Sequence, residues 1–461
     1  MIPVRAIAGL CIEMVLFSIL FVCEASAAEP TWKAGFARTK ITPTEAMWLS
    51  GYGSRDHASE GTRIELWAKA LALEAPGGSP AVVVTLDLVG IDRESAQVIR
   101  DRIQKKASVT ADRIALCSSH THTGPVVGHN LETMYFYSAE ERERVNRYTI
   151  WLEAEVTRIA IEALGRLLPS KLSWGVGSES FGVNRRNNPE ALVPAHRAGG
   201  KLRGPVDYDV PVLRIADSED RLLALLFGYA CHATVLDDYL WSGDYPGYAQ
   251  LELEQCHPGL QAMFIAGCGA DVNPLPRRTP ELAQHYGRRL ATAVDRVNEG
   301  VLTLINPELS IRYTELDLPF DTLPTRKILE EKLKSSDRYG VAYAQKMLKE
   351  LEAGRPLPTS YPYPMGVWKF GKELTWISLG GEVVVDYGLR LKRGFGRDLW
   401  VSAYSHDVMA YIPSRRVWEE GGYEGGGSMI YYGLPTRWSG EVEERIFGVL
   451  KGLLDPSSKA R

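Results

Sequence analysis

Cys117-Ser-Ser-His-Thr-His-Thr-Gly-Pro125 follows the apolar run Arg113-Ile-Ala-Leu116 and ends in a Gly-Pro break. The run predicts a short buried strand, and the stretch behind it presents two imidazoles one residue apart. Residues i and i+2 of a strand share a face, so His120 and His122 are expected to face one pocket. Neutral imidazole nitrogen is a common ligand for zinc and similar ions, with a carboxylate often completing the site. Histidine is scarce, nine in 461 residues, which weighs against filler. A pair of hydrogen-bonded core histidines is the bland alternative. A His-x-His-x-Asp-His metal site would continue with acid and histidine; here Thr123-Gly-Pro125 follows, which argues against that arrangement.

Working outward, strand-like segments precede the pair at Gly35–Ile41, Leu66–Glu74 and Ala81–Leu88, with an amphipathic helix at Ser95–Lys106. Beyond it, Ser138 is a plausible N-cap for one long helix to Leu168. Strands are expected at Leu172–Ser178, Val210–Ile215, Leu222–Ala230, Gln261–Ala266, Pro307–Leu318, Leu374–Leu379 and Leu399–Tyr404. Helices are expected at Gly247–Glu254, Pro280–Asn298, Thr325–Ala353, Val384–Lys392 and Gly440–Leu454. Pro356–Pro364 predicts a long surface loop, and Gly421–Gly427 a mobile or ligand-facing one. Strands and helices mixed without strict alternation predict an α/β (α+β) layered sandwich, mixed sheets flanked by helices.

Residues 1–27 predict a secretory signal peptide: Arg5, a mostly apolar run Ala6–Val22, and the small-x-small pattern Ala25-Ser26-Ala27. The run carries Glu13 and falls short of the roughly 20 residues a membrane span needs. Removing it takes the formal charge from −4 to −3. A near-neutral chain gives no case for nucleic acid. Export to the periplasm, cell surface or medium is the expectation, with residues 28–461 as one domain. Cys117, Cys231, Cys256 and Cys268 lie outside the leader and lack zinc-finger spacing.

Three further islands stand out. Tyr229-Ala-Cys-His-Ala-Thr-Val-Leu236 puts His232 at the end of an apolar strand. Ser242-Gly-Asp-Tyr-Pro-Gly247 is a turn-rich opening to a helix. Gly267-Cys-Gly-Ala-Asp-Val-Asn-Pro274 is a Gly-rich loop without the Lys-Ser/Thr ending of a phosphate cradle. Alone, His232 reads more readily as structural than as a ligand.

Taken together these islands resemble the neutral ceramidase family, zinc amidohydrolases that cut the N-acyl bond of ceramide. The resemblance runs through Phe36-Ala-Arg-Thr-Lys-Ile-Thr-Pro43, Gly51-Tyr-Gly53, His120-Thr-His-Thr-Gly-Pro125, Asn184-Arg185, His232-Ala-Thr234, Ser242-Gly-Asp244, Gly381-Glu382, Tyr411-Ile412 and Tyr423-Glu424. It implies one zinc ion held by His120, His232, Glu382 and Tyr411. It implies catalytic roles at the pocket wall for His122, Arg185 and Tyr423. Without it, Glu382 reads as a carboxylate at a helix N-terminus and the tyrosines as ordinary packing.

Two departures limit what carries over. The family's nucleophilic loop reads Gly-Asp-Val-Ser-Pro-Asn, whereas this chain has Ala270-Asp-Val-Asn-Pro-Leu275, with Asn273 in the serine's place. Asparagine forms no acyl-enzyme; Cys268, five residues earlier, is a weak substitute. No C-terminal immunoglobulin-like domain is expected after the Tyr423 region. The leading expectation is an exported zinc-dependent hydrolase that cleaves an amide (N-acyl) or ester bond of a small or lipid-like substrate by metal-activated water. Authentic ceramidase activity on N-acylsphingosine and a non-catalytic metal-containing module that binds lipid or glycan are the alternatives. No membrane span is expected after removal of the leader.

Overall fold

The structure, a computed structural model, describes residues 31–455; the expected signal peptide lies outside them. Eight strands form a large sheet: β1 (Trp32–Lys40), β2 (Trp67–Glu74), β3 (Ala81–Leu86), β4 (Ile114–Ser118), β5 (Leu168–Ser178), β6 (Asp209–Ala216), β7 (Leu222–Tyr229) and β8 (Gln261–Ala266). Their order is β8-β7-β6-β5-β1-β2-β3-β4, with a short ninth strand, Thr303–Leu304, beside β5. The outermost pairs, β8/β7 and β3/β4, are parallel; the inner pairs are antiparallel. Parallel neighbours need a crossover. α1 (Arg93–Ala107) supplies it between β3 and β4, and α3 (Asp244–Cys256) between β7 and β8. The sheet curls enough to bring its two edges, β4 and β8, into contact.

A smaller sheet runs β9 (Leu309–Pro319), β10 (Ser360–Phe370), β11 (Leu374–Leu379) and β12 (Leu399–Ser402) in that order. β11 and β12 are parallel, linked by helix Val385–Phe395. The two sheets pack face to face. Alternate residues of each strand fill the layer between them: Leu172 and Trp174, Leu213 and Ile215, Met263 and Ile265 from one side, Trp368, Phe370, Trp376 and Trp400 from the other. This is the period-2 pattern of a sandwich. Trp368 and Trp376 lie 5.3 Å apart by ring centroids. Such pairs contribute about 1 kcal/mol beyond their buried area. The other face of the large sheet packs on α1, α3, α2 (Ala139–Leu164) and helix Pro280–Asn298. Helices Val385–Phe395 and Val442–Leu454 cover the smaller sheet. The predicted layered α/β sandwich is what forms.

α2 begins at the expected cap: Ser138 Oγ accepts from the Glu141 amide, and the Glu141 carboxylate accepts from that of Ser138. It stops at Leu164, and Leu168 already opens β5. Three expectations need correction. Thr325–Ala353 is two helices, Arg326–Lys332 and Arg338–Glu352, not one. Ser335-Ser-Asp337 interrupts them, and the Asp337 carboxylate caps the second through the Tyr339 amide. Such side chains compete with helical backbone bonds and favour caps. Second, only the first part of Pro356–Pro364 is a loop, since β10 starts at Ser360. Pro362 and Pro364 fit because β10 pairs there with β9 alone; its pairing with its second partner, β11, runs from Met365 onward. Third, β4 ends at Ser118, so His120 and His122 are not on a strand. No described helix is long and apolar enough to cross a membrane.

Candidate metal centre

The candidate ligands follow the C-terminal ends of strands in the parallel units. His120 follows β4, His232 follows β7, Glu382 follows β11 and Tyr411 follows β12. Short pairings stitch these exits together. Thr121 bridges Ala233, aligning the two histidine segments, and Glu382-Val383 pairs in parallel with Tyr411-Ile412. His120 takes a left-handed backbone, φ 60°, uncommon for a residue with a side chain. This turn, rather than a shared strand face, brings His120 and His122 together.

The imidazole and carboxylate tips meet at one point. His120 Nε2 is 3.2 Å from His232 Nε2, 3.2 Å from His122 Nε2 and 3.0 Å from Glu382 Oε2. His232 Nε2 is 3.3 Å from Glu382 Oε2 and 3.4 Å from the Tyr411 hydroxyl. Ligand atoms around a tetrahedral zinc ion are separated by roughly 3.3 Å, given bonds of about 2.0–2.1 Å. His122 thus stands as near the centre as Tyr411, and the three imidazoles alone form a metal-capable group.

The hydrogen bonds set the tautomers. His120 Nδ1 is 2.6 Å from the Val89 carbonyl and His232 Nδ1 is 3.0 Å from that of Gly269. A carbonyl only accepts, so each Nδ1 carries the proton. In the neutral rings both Nε2 lone pairs then face each other and Glu382 Oε2. That oxygen has no hydrogen-bond donor, nor has His122 Nδ1 a partner. Burial, and then the Arg185 charge, push His232 down to about 4, which keeps it neutral. Three buried acceptors around one point call for a cation, and imidazole, carboxylate and phenol oxygen form a donor set that zinc accepts.

Side chains around these tips fix their orientation. Tyr432 donates to Glu382 Oε1, leaving Oε2 for the centre. The Tyr404 ring stacks on His120 at 4.2 Å. Arg55, buried, donates to the carbonyls of Ser50 and His122. Gly51, with φ 92°, lies where a side chain would strike the His122 ring. Arg185 follows the short strand Gly182–Asn184 and donates to the Tyr411 hydroxyl at 3.1 Å, to Glu424 at 2.7 Å and to Asn273 Oδ1 at 3.3 Å. Because Asn273 Oδ1 accepts, its amide N–H groups are not used on Arg185. Tyr423, 41% exposed, starts a π-helical turn over Tyr423–Gly427 and lies 5.2 Å from Tyr411. The Gly421–Gly427 loop therefore does face the site.

Buried acids brace the loops. Asp244 accepts from the amides of Leu236 and Tyr245, closing the loop after His232. Asp271 accepts from the Val385 amide and from Asn184. Burial raises both carboxyls to about 6. Cys268 is buried and its thiol is pushed up by desolvation, so it is no activated nucleophile. All four described cysteines are free.

His120, His122, His232, Glu382 and Tyr411 come together, Arg185 and Asn273 join them through Tyr411, and Tyr423 sits at the outer rim; Cys268 has no contact with the centre. Sequence reasoning missed Tyr432, Tyr404 and Arg55. None belongs to a spaced motif; Arg55 alone lay near a quoted one, two residues past Gly51-Tyr-Gly53.

The family model described as neutral/alkaline non-lysosomal ceramidase, N-terminal, matches residues 32–273. A search of curated proteins finds no match. Among solved structures, neutral ceramidase from Pseudomonas aeruginosa superposes with a TM-score of 0.70 at 18% identity, over 92% of this chain and 73% of that one. A structure described as ceramidase complexed with C2 gives a TM-score of 0.70 at 18% identity, over 92% and 74%. At that identity the structural likeness is one of fold.

Proposed function

Because the chain belongs to the neutral/alkaline non-lysosomal ceramidase family, we propose that it is an exported zinc-dependent hydrolase that cleaves an amide (N-acyl) or ester bond of a lipid-like substrate. The observation that carries the reading is the convergence of His120 Nε2, His232 Nε2 and the donorless Glu382 Oε2. His120, His232, Glu382 and Tyr411 would hold the ion. When bound, such an ion polarises a carbonyl and acidifies water. His122 Nε2 faces the same space and is the base within reach of a water proton; burial first, then the neighbouring imidazoles, hold His122 well below the usual histidine range. Arg185 keeps its charge, with Glu424 and Tyr411 beside it. Together with the Tyr423 hydroxyl it supplies positive potential where an oxyanion forms.

Asn273 changes the chemistry expected of the family. It offers no hydroxyl for an acyl-enzyme, and its amide N–H is free to donate to a substrate oxygen. Direct attack by water is the route these residues support. The test is purified protein assayed for zinc and for fatty acid release from ceramide and simpler N-acyl amides. His120→Ala and Glu382→Ala are expected to lose bound zinc and at least about 100-fold in kcat/KM. Wild-type zinc content in both variants would overturn the site assignment; zinc without turnover on any amide or ester would favour a binding module.

A further inference from the structure

Outside the metal centre, one fully buried polar cluster is not explained by packing. The segment 403–410 carries the chain from β12 to Tyr411 and is zipped at once to the two strands that lead into His120 and Glu382. The His406 amide donates to the Leu116 carbonyl on β4, and the Ser118 amide donates to that of Tyr404. On the other side, the Ser405 amide donates to Leu379 and the Tyr404 amide to Gly381. The segment therefore contacts the strand before His120 and the strand before Glu382, then delivers Tyr411 itself.

His406 is the side-chain pin of this junction. It is buried and left-handed, φ 68°. Its Nδ1 meets the Arg100 guanidinium of α1, and its Nε2 is 2.8 Å from Ser378 Oγ on β11. A guanidinium only donates, so Nδ1 accepts and Nε2–H donates to Ser378. The ring is thus locked in one tautomer and one orientation. Arg100 is held in turn by the Tyr313 hydroxyl at 3.1 Å. Three elements, α1, β11 and the Tyr411 segment, are joined through one imidazole. A well-packed apolar side chain would fill the space without tying them.

We propose that His406 is a positioning residue for the metal centre: through Ser378 and Arg100 it sets the registry of the Glu382 and Tyr411 segments against β4, so that their oxygens reach the point where His120 and His232 converge. This rests on the metal reading above. The test uses full-length protein with zinc affinity measured by chelator competition, folding by circular dichroism and thermal melting, and the visible spectrum of the cobalt(II)-substituted form. Ser378→Ala removes one bond; His406→Asn retains an acceptor for Arg100 but does not span to Ser378. Both are expected to weaken zinc binding about 10-fold or more and to change the cobalt spectrum, while melting stays cooperative. Wild-type affinity and spectrum in a folded Ser378→Ala protein would overturn the proposal even if His406→Asn failed to fold. A wild-type protein that binds no zinc would overturn the metal reading and this inference together. A wild type that binds zinc beside unaltered variants would overturn this inference alone.

Discussion

Tyr432 donates to Glu382 Oε1 and Asn273 accepts from Arg185, and these two bonds decide what the neighbouring atoms are free to do. With Oε1 occupied, only Oε2 of Glu382 remains for a cation. Tyr432→Phe is therefore expected to weaken zinc binding about 10- to 100-fold, read by chelator competition, with little change in melting temperature. Asn273→Ala is expected to keep its zinc and to lose about 100-fold in kcat, the scale of one oxyanion donor. Equal kcat in the alanine variant would remove Asn273 from the reaction. At this scale much of the candidate site was legible in the sequence. His120, His122 and His232 stand at strand ends in a chain poor in histidine. Glu382, Tyr411 and Arg185 became visible only through resemblance, since a lone carboxylate or tyrosine carries no spacing signal. Tyr432 and Tyr404 were not legible, because their roles depend on the tertiary packing of segments far apart in the chain.

The two sheets share one device: each of their parallel strand pairs, β3/β4, β7/β8 and β11/β12, is joined by a helix, and the residues beyond the strand ends meet. Ligands commonly gather at the carboxyl ends of strands in this way. The strands themselves were readable from apolar runs, and the start of α2 from its Ser138 N-cap. What misled was the high charge of Thr325–Ala353, read as one helix although a cap signal at Ser335-Ser-Asp337 outweighs helix propensity, and the proline content of Pro356–Pro364, where β10 has one partner only. The correction at Asp337 matters for the site: it aims Tyr339 at the Gly53 carbonyl, in the Gly51-Tyr-Gly53 turn that backs His122. Gly51→Ala would add a Cβ against the His122 ring at a positive φ. It is expected to cut kcat at least about 10-fold with zinc affinity retained, which steady-state kinetics on zinc-loaded protein will show. Lost zinc instead would make His122 a ligand.

The same scale holds a pH prediction. Asp87 follows β3, accepts from the Trp67 amide at 2.9 Å, and burial raises its carboxyl to about 6. Its folded pKa lies above the unfolded value near 3.9. Between these values the folded chain binds the extra proton, so the stability it contributes is present below about pH 4 and is lost as pH rises through about 6. The loss is on the order of 3 kcal/mol. Urea unfolding of wild type and Asp87→Asn across pH 4–7 should show a smaller decline in the variant; parallel curves would contradict it.

Across the whole molecule, two sheets enclose a tryptophan-rich layer and hold the segments that carry the ligands. His120 and His232 come from the large sheet, Glu382 and Tyr411 from the smaller one. A bound ion would therefore clasp the two halves of the sandwich together, and removing it should lower the melting temperature, by an amount that grows with the logarithm of its affinity. The layered class was legible from the order of strands and helices. The sheet order was not, because pairings such as β5 with β1 join segments more than a hundred residues apart. The measurement that bears most directly on the account is anomalous diffraction at the zinc edge from crystals of the purified protein. One peak is predicted about 2.0–2.2 Å from His120 Nε2, His232 Nε2 and Glu382 Oε2, with Tyr411 closing the set. No peak at that point, in crystals of protein supplied with zinc, would contradict it.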